Sequence, residues 1–158
     1  MSGGRAPRVG IVGLGLVGGS LARALVERDC EVVASTRSPE ARAGAAHLGV
    51  TVVDDVAAVV ERVDVVVLAV PLPAMADVLA AVGDALAAAP GSAPTVTDVG
   101  SVKGPVLAQA AAALADPAAF VGGHPMAGTE DAGWPAATGG LFTRRRWALA
   151  VDPPTDLA

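Results

Sequence analysis

The stretch Arg8-Val-Gly-Ile-Val-Gly-Leu-Gly-Leu-Val-Gly18 constrains the fold of this chain more than any other. A short apolar strand that breaks at a Gly-x-Gly-x-x-Gly turn and passes straight into a helix opens a strand–helix–strand unit built for a dinucleotide. Gly13 permits the tight turn, Gly15 lets the backbone approach a pyrophosphate, and Gly18 lets helix and strand pack closely. The first-turn amides, carried by Leu16 and Val17, then face the phosphates with the helix dipole behind them. The plainer alternative is a glycine-rich turn in an ordinary α/β protein, and the pattern along the rest of the chain decides between them.

That pattern alternates. Helical spacing over 18–28 precedes a strand from Glu31 to Ala34, then a helix that Pro39 starts and Gly49 closes, and a short strand over Val50–Val53. Val63–Val70 is the most continuous apolar run, as expected of a strand covered on both faces. Pro71 and Pro73 end it, and an Ala-rich helix runs towards Ala89. After a turn over Pro90–Pro94 come a strand at Thr95–Val99, a helix over about 102–115, a strand at Ala119–Gly122 and a last one at Trp147–Val151. The expected fold is a Rossmann-type, doubly wound, mostly parallel sheet with helices on both faces. It occupies 8–151, with a flexible start at 1–7 and an exit linker at 152–158.

At 158 residues, 53% hydrophobic and 17% charged, the chain is a folded single domain. A net charge of −5 argues against a nucleic-acid surface; Arg144–Arg146 is the one basic cluster. No apolar run is long enough to span a bilayer, so no membrane partner is expected. The single cysteine, Cys30, fits a reducing cytoplasm and reads as a small buried hydrophobe. With only His47 and His124 beside it, no zinc site is expected. His47 falls in an Ala-rich helix and reads as a surface or half-buried residue.

The second strand of such a unit usually ends in an acid that binds the adenosine ribose. Here it ends Ala34-Ser-Thr-Arg37, with no acid. Ser35, Thr36 and Arg37 can donate hydrogen bonds to a 2′-phosphate that a carboxylate would repel. NADP is therefore expected over NAD; a solvated Arg37 and an indifferent site is the other reading. His124 closes the sixth strand, on a turn at the edge where such sheets bind ligands. Its neutral imidazole can take a proton near pH 7, although a histidine after a strand is more often structural.

Four elements occur in order: Gly13-Leu-Gly-Leu-Val-Gly-Gly-Ser20, Leu68-Ala-Val-Pro71, Asp98-Val-Gly-Ser-Val-Lys103 and Gly122-Gly-His-Pro-Met-Ala-Gly-Thr-Glu130. In wording and order they resemble the prephenate/arogenate dehydrogenase family of tyrosine biosynthesis, over roughly residues 8–151. The resemblance implies that His124 accepts the proton of the substrate's ring hydroxyl and that Ser101 hydrogen-bonds near histidine, substrate and nicotinamide. It extends the cofactor set to Val70 and Pro71, and brings Lys103, Thr129 and Glu130 near the substrate. Lys103 also reads as a lysine of a first helical turn, Glu130 as a solvated loop acid, and Asp98 as an organiser of its turn. The resemblance further implies prephenate or arogenate as substrate, and a homodimer formed through a second, helical domain absent from this chain. Two rivals stand beside it: another NAD(P)-dependent dehydrogenase or reductase, and a non-catalytic NAD(P)-binding regulatory module.

Overall fold

The computed structural model describes residues 5–150; Met1–Gly4, Val151 and the exit linker at 152–158 lie outside the described residues. The chain forms β1 (Val9–Val12), α1 (Leu16–Val26), β2 (Val32–Ser35), α2 (Pro39–His47), β3 (Thr51–Val53) and α3 (Val56–Val60). It continues through β4 (Val65–Leu68), α4 (Leu72–Ala88), β5 (Thr95–Asp98), α5 (Gly104–Ala113), β6 (Phe120–Pro125) and β7 (Trp147–Ala150). The strands form one seven-stranded sheet in the order β3-β2-β1-β4-β5-β6-β7. All pairings are parallel except β6 with β7. The chain winds outward from β1 to β3 and then returns to β4 on the other side of β1. Strand order thus reverses between β1 and β4, which opens a crevice at the carboxyl ends of the strands.

Local chemistry sets the element ends. Ser38 Oγ accepts the Ala41 amide at 3.2 Å and Pro39 fills the first turn of α2, while Gly49 leaves it with φ +89°. Asp55 Oδ1 accepts the Ala58 amide at 2.8 Å and so starts α3. That helix is missing from the sequence expectation. Val-Ala-Ala-Val-Val carries no helical period over five residues, and the cap was the only signal. Bounds elsewhere shift mostly by one or two residues, as where β4 covers Val65–Leu68 within the expected Val63–Val70. α1 begins inside the glycine motif, at Leu16, and β6 runs on to Pro125, past Gly122. The β6 ladder is lengthened by β7, which returns antiparallel from far along the chain and pairs Pro125 with Trp147.

Each sheet face has its own core. Val59, Val60, Met75, Leu79, Val82 and Val106, from α3, α4 and α5, cover one face over Val66, Leu68 and Val96. Leu14, Ala22, Ala41 and Ala45, from the α1 and α2 side, cover the other over Ile11, Ala34 and Val67. This second face is built of small side chains and is completed from a distance by Trp134, only 7% exposed. A Cβ on Gly19 would come within 3.0 Å of the Trp134 ring, and one on Gly44 would sit inside it. Arg23 stacks on the same indole at 4.5 Å.

His47 is exposed. Cys30 is half-buried, not the buried hydrophobe expected, because it follows a left-handed turn at Asp29 (φ +58°) on the rim of the sheet. β7 exposes Trp147 (37%) and Leu149 (54%), with Phe142 against the Trp147 ring at 5.5 Å. Among the described residues no helix is long and apolar enough to cross a membrane.

At the amino ends of the central strands, Asp64 accepts the Arg8 amide at 2.8 Å and the Arg8 guanidinium at 2.9 Å, joining the start of β1 to that of β4. The Arg8 hydrogen bonds lower the Asp64 carboxyl from 3.8 to about 2. A carboxyl depressed by folding stabilises above its unfolded pKa, and that contribution fades as pH falls through the folded value. Urea unfolding of wild type and Asp64→Asn should therefore differ most above about pH 4 and converge towards pH 2.

Candidate active site

The three motif glycines turn out to answer to different neighbours. A Cβ on Gly13, whose φ is +96°, would lie 2.5 Å from the Ala69 carbonyl oxygen and 3.0 Å from Val70 Cγ1. One on Gly18 would occupy the Gly13 carbonyl oxygen. Both residues are glycine because β1, α1 and the end of β4 meet there. A Cβ on Gly15 would touch nothing within 4 Å. The protein itself gives Gly15 no reason to be small, whereas a ligand approaching the backbone would.

Gly15 caps α1 without a side-chain acceptor, and no acid sits in the first turn. The amides of Leu16, Val17 and Gly18 therefore point out of the helix start unsatisfied within it, as an anion requires. Val70 and Pro71 follow β4 beside this turn, half-exposed and exposed respectively. At the end of β2, Ser35 is buried and its carbonyl accepts the Gly13 amide at 2.9 Å. Thr36 Oγ1 accepts the Ser38 amide at 3.2 Å, which leaves Arg37 as the exposed cation at that strand end. The residues present thus fit a dinucleotide: an open backbone cradle for the phosphates, and a cation but no acid beside the adenosine position.

Asp98 ends β5 with no exposed surface. Its carboxylate accepts the Gly100 amide at 2.9 Å, the Gly123 amide at 3.1 Å and the Lys103 ammonium. Lys103 Nζ donates as well to the Gly123 carbonyl at 2.7 Å. Lys103, the residue before the first turn of α5, therefore spends its ammonium on the β5–β6 junction. The β5–α5 loop and β6 are pulled onto one carboxylate, which fixes where Ser101 and His124 emerge. Ser101 is exposed and His124 half-exposed, the latter in register with Ala148 of β7.

His124 is thus the penultimate residue of a strand, where a turn was expected. Its backbone is paired on one side, with Ala148 of β7, while the β5 ladder ends at Val121, three residues before it. A Cβ on Gly123 would lie 2.5 Å from the Asp98 carbonyl oxygen and 3.0 Å from Trp147 Nε1, so close strand packing explains that glycine. Thr129 and Glu130 are exposed on the segment after β6, and Thr129 Oγ1 accepts the Asp131 amide at 3.2 Å. The fold brings the glycine cradle, Ser101 and His124 to the same sheet edge. β1 and β6 lie three strand spacings apart, about 14 Å.

The residue that the sequence reading missed here is Trp134. Its signal was chemical: one large aromatic between Gly133 and Pro135, in a chain whose helices offer alanine and glycine. Asp98→Ala should leave the Lys103 ammonium without its counter-ion and the Gly100 and Gly123 amides without their acceptor. The expected cost in denaturant unfolding is about 3–5 kcal/mol, the range for breaking a buried ion pair.

Comparison with known proteins agrees with this geometry. The family model described as prephenate dehydrogenase, nucleotide-binding domain, matches residues 21–157, beginning just past the glycine turn. Prephenate dehydrogenase from Aquifex aeolicus, solved with hydroxyphenyl propionate and NAD+, is 30% identical over 99% of this chain and 54% of its own, with TM-score 0.82. Arogenate dehydrogenase from Synechocystis is 29% identical over 95% of this chain and 52% of its own, also at 0.82. A Corynebacterium glutamicum protein assigned to prephenate dehydrogenase is 38% identical over 95% of this chain and 47% of its own, at 0.79. This chain therefore spans about half the length of the solved structures it matches. A search of curated protein sequences found no match. The chain belongs to the prephenate dehydrogenase nucleotide-binding domain family, whose fold carries a nicotinamide dinucleotide.

Proposed function

We propose that this chain is the cofactor-binding and histidine-bearing part of an NADP-dependent dehydrogenase that oxidatively decarboxylates prephenate or arogenate, in tyrosine biosynthesis. The observation that carries the reading is the placement of His124, in a chain of this family, on the sheet edge that holds the open cradle at Gly15. The amides of Leu16, Val17 and Gly18 would hold the pyrophosphate, with Gly13 shaping the turn and Val70 and Pro71 flanking it. Ser35, Thr36 and above all Arg37 would meet the 2′-phosphate. The nicotinamide, when bound, supplies the hydride acceptor.

The chain's own residues do the rest. His124 takes the proton from the oxygen of the ring hydroxyl as the hydride leaves the carbon that bears it, so hydroxyl becomes carbonyl. Loss of carbon dioxide then aromatises the ring and makes the step downhill. Ser101 orients the hydroxyl towards His124. Lys103 contributes through Asp98 and Gly123, by holding β6 in place. Thr129 and Glu130 border the substrate side. Recognition of the substrate's carboxylates and homodimer formation belong, on this reading, to a helical second domain, and the protein works in the cytoplasm.

Titration of the purified chain, followed by tryptophan fluorescence or heat, should show tighter binding of NADP than of NAD. Arg37→Asp should reduce that preference about 10-fold or more, since it replaces a charge-assisted hydrogen bond by repulsion. Unchanged discrimination would remove Arg37 from the site. His124→Asn, assayed with prephenate and with arogenate in the chain joined to the helical half of a relative, should cost about 10²-fold or more in turnover. Cofactor affinity should stay unaltered. Near-normal turnover would end the proton-acceptor assignment.

A further inference from the structure

We propose that Trp134 and Ser20 are positioning residues that fasten the segment following His124 to the helix that receives the cofactor phosphates. The segment Met126–Gly133 leaves β6 and carries Thr129 and Glu130. The next residues do not stay near β6: they lie along α1, on the far side of β4 and β5. Trp134 is buried between Gly19 of α1 and Gly44 of α2, under the Arg23 guanidinium. The fully buried Ser20 hydroxyl oxygen accepts the Thr138 amide at 2.9 Å, and the Glu27 carboxylate lies against Gly139. Gly19, Arg23 and Glu27 are spaced by four residues, so they form one stripe down the helix. Trp134 to Gly139 follows that stripe.

The consequence comes from chain length. Eight residues, with an extended reach of about 26 Å, bridge the end of β6 and the Trp134 socket between α1 and α2. Every residue from Gly128 to Gly133 is exposed, so nothing between the two ends is buried against the domain. Its course is therefore set by its two ends. One end is β6. The other is α1 itself, bonded at Gly19 and Ser20, in the turn after the phosphate-facing amides. A ligand that steadies the start of α1 steadies the anchor of Thr129 and Glu130 in the same step. The bare GxGxxG pattern does not call for the extra glycine and serine at 19 and 20; the strap does.

This inference rests on the dinucleotide reading, and its test separates the two. Amide hydrogen exchange of the chain is measured with and without saturating NADP, with NADP affinity measured in parallel. In wild type, NADP is expected to slow exchange in both residues 13–20 and 126–133. In Trp134→Ala and in Ser20→Ala, NADP should still bind within about threefold and still protect 13–20, while protection of 126–133 is lost. Trp134→Phe should restore it, since a smaller ring still fills the socket. Ser20→Ala, which removes one acceptor and no bulk, guards against a Trp134→Ala chain that fails to fold. Protection of 126–133 that persists in Ser20→Ala and Trp134→Ala overturns the inference, as does its absence in wild type that binds NADP. Failure of wild type to bind either dinucleotide overturns the cofactor reading and this inference with it.

Discussion

A single buried carboxylate decides where Ser101 and His124 emerge from this domain. Asp98 has no contact with solvent, yet it gathers the Gly100 and Gly123 amides and the Lys103 ammonium onto two oxygens. A charge so placed is tolerated only when it is paired and fully hydrogen-bonded. Its partners come from three successive parts of the chain: the loop after β5, the start of α5 and the middle of β6. Ser101 and His124 are the exposed residues next to those partners. The support of these two candidate residues is therefore buried, while the residues themselves remain open to solvent.

A second constraint acts on the other side of the switch point. Backbones approach so closely at Gly13 and Gly18 that any side chain would collide with a carbonyl. These contacts seat α1 against β1 and the end of β4, and they leave Gly15 standing clear. Folding thus accounts for two glycines of the motif, and no contact within the protein accounts for the third. The division gives the motif physical content that its spacing alone lacks.

Much of this was legible beforehand, for identifiable reasons. Strand–helix alternation, the Pro39 start, the Gly49 stop and the Val63–Val70 run are local signals, and local physics produced the corresponding elements. The misses are non-local. β6 extends to Pro125 because β7 returns antiparallel from more than twenty residues on, and no apolar run foretells a partner at that distance. Lys103 read equally as a helix-start lysine or a substrate neighbour until Asp98 and Gly123 were seen on its ammonium. Trp134 was invisible as a core residue because its socket is made of absences: the missing side chains of Gly19 and Gly44, in two helices more than eighty residues upstream. Family wording singled out His124 and Ser101 where spacing could not, since only the folded sheet puts them on the edge that carries the glycine turn, up to three strands away.

The sheet also ends unevenly, and this has a practical side. At one margin β3 is three residues long, too short to template much. At the other, β7 offers four residues whose outer backbone groups have no strand partner among the described residues, with Trp147 and Leu149 turned partly to water. Apolar, unpaired margins of this kind recruit further strands. Of the two margins, β7 is therefore the one whose chemistry suits the addition of a further strand. The glycine cradle lies four strands inside that margin, so clumping there need not block a nucleotide.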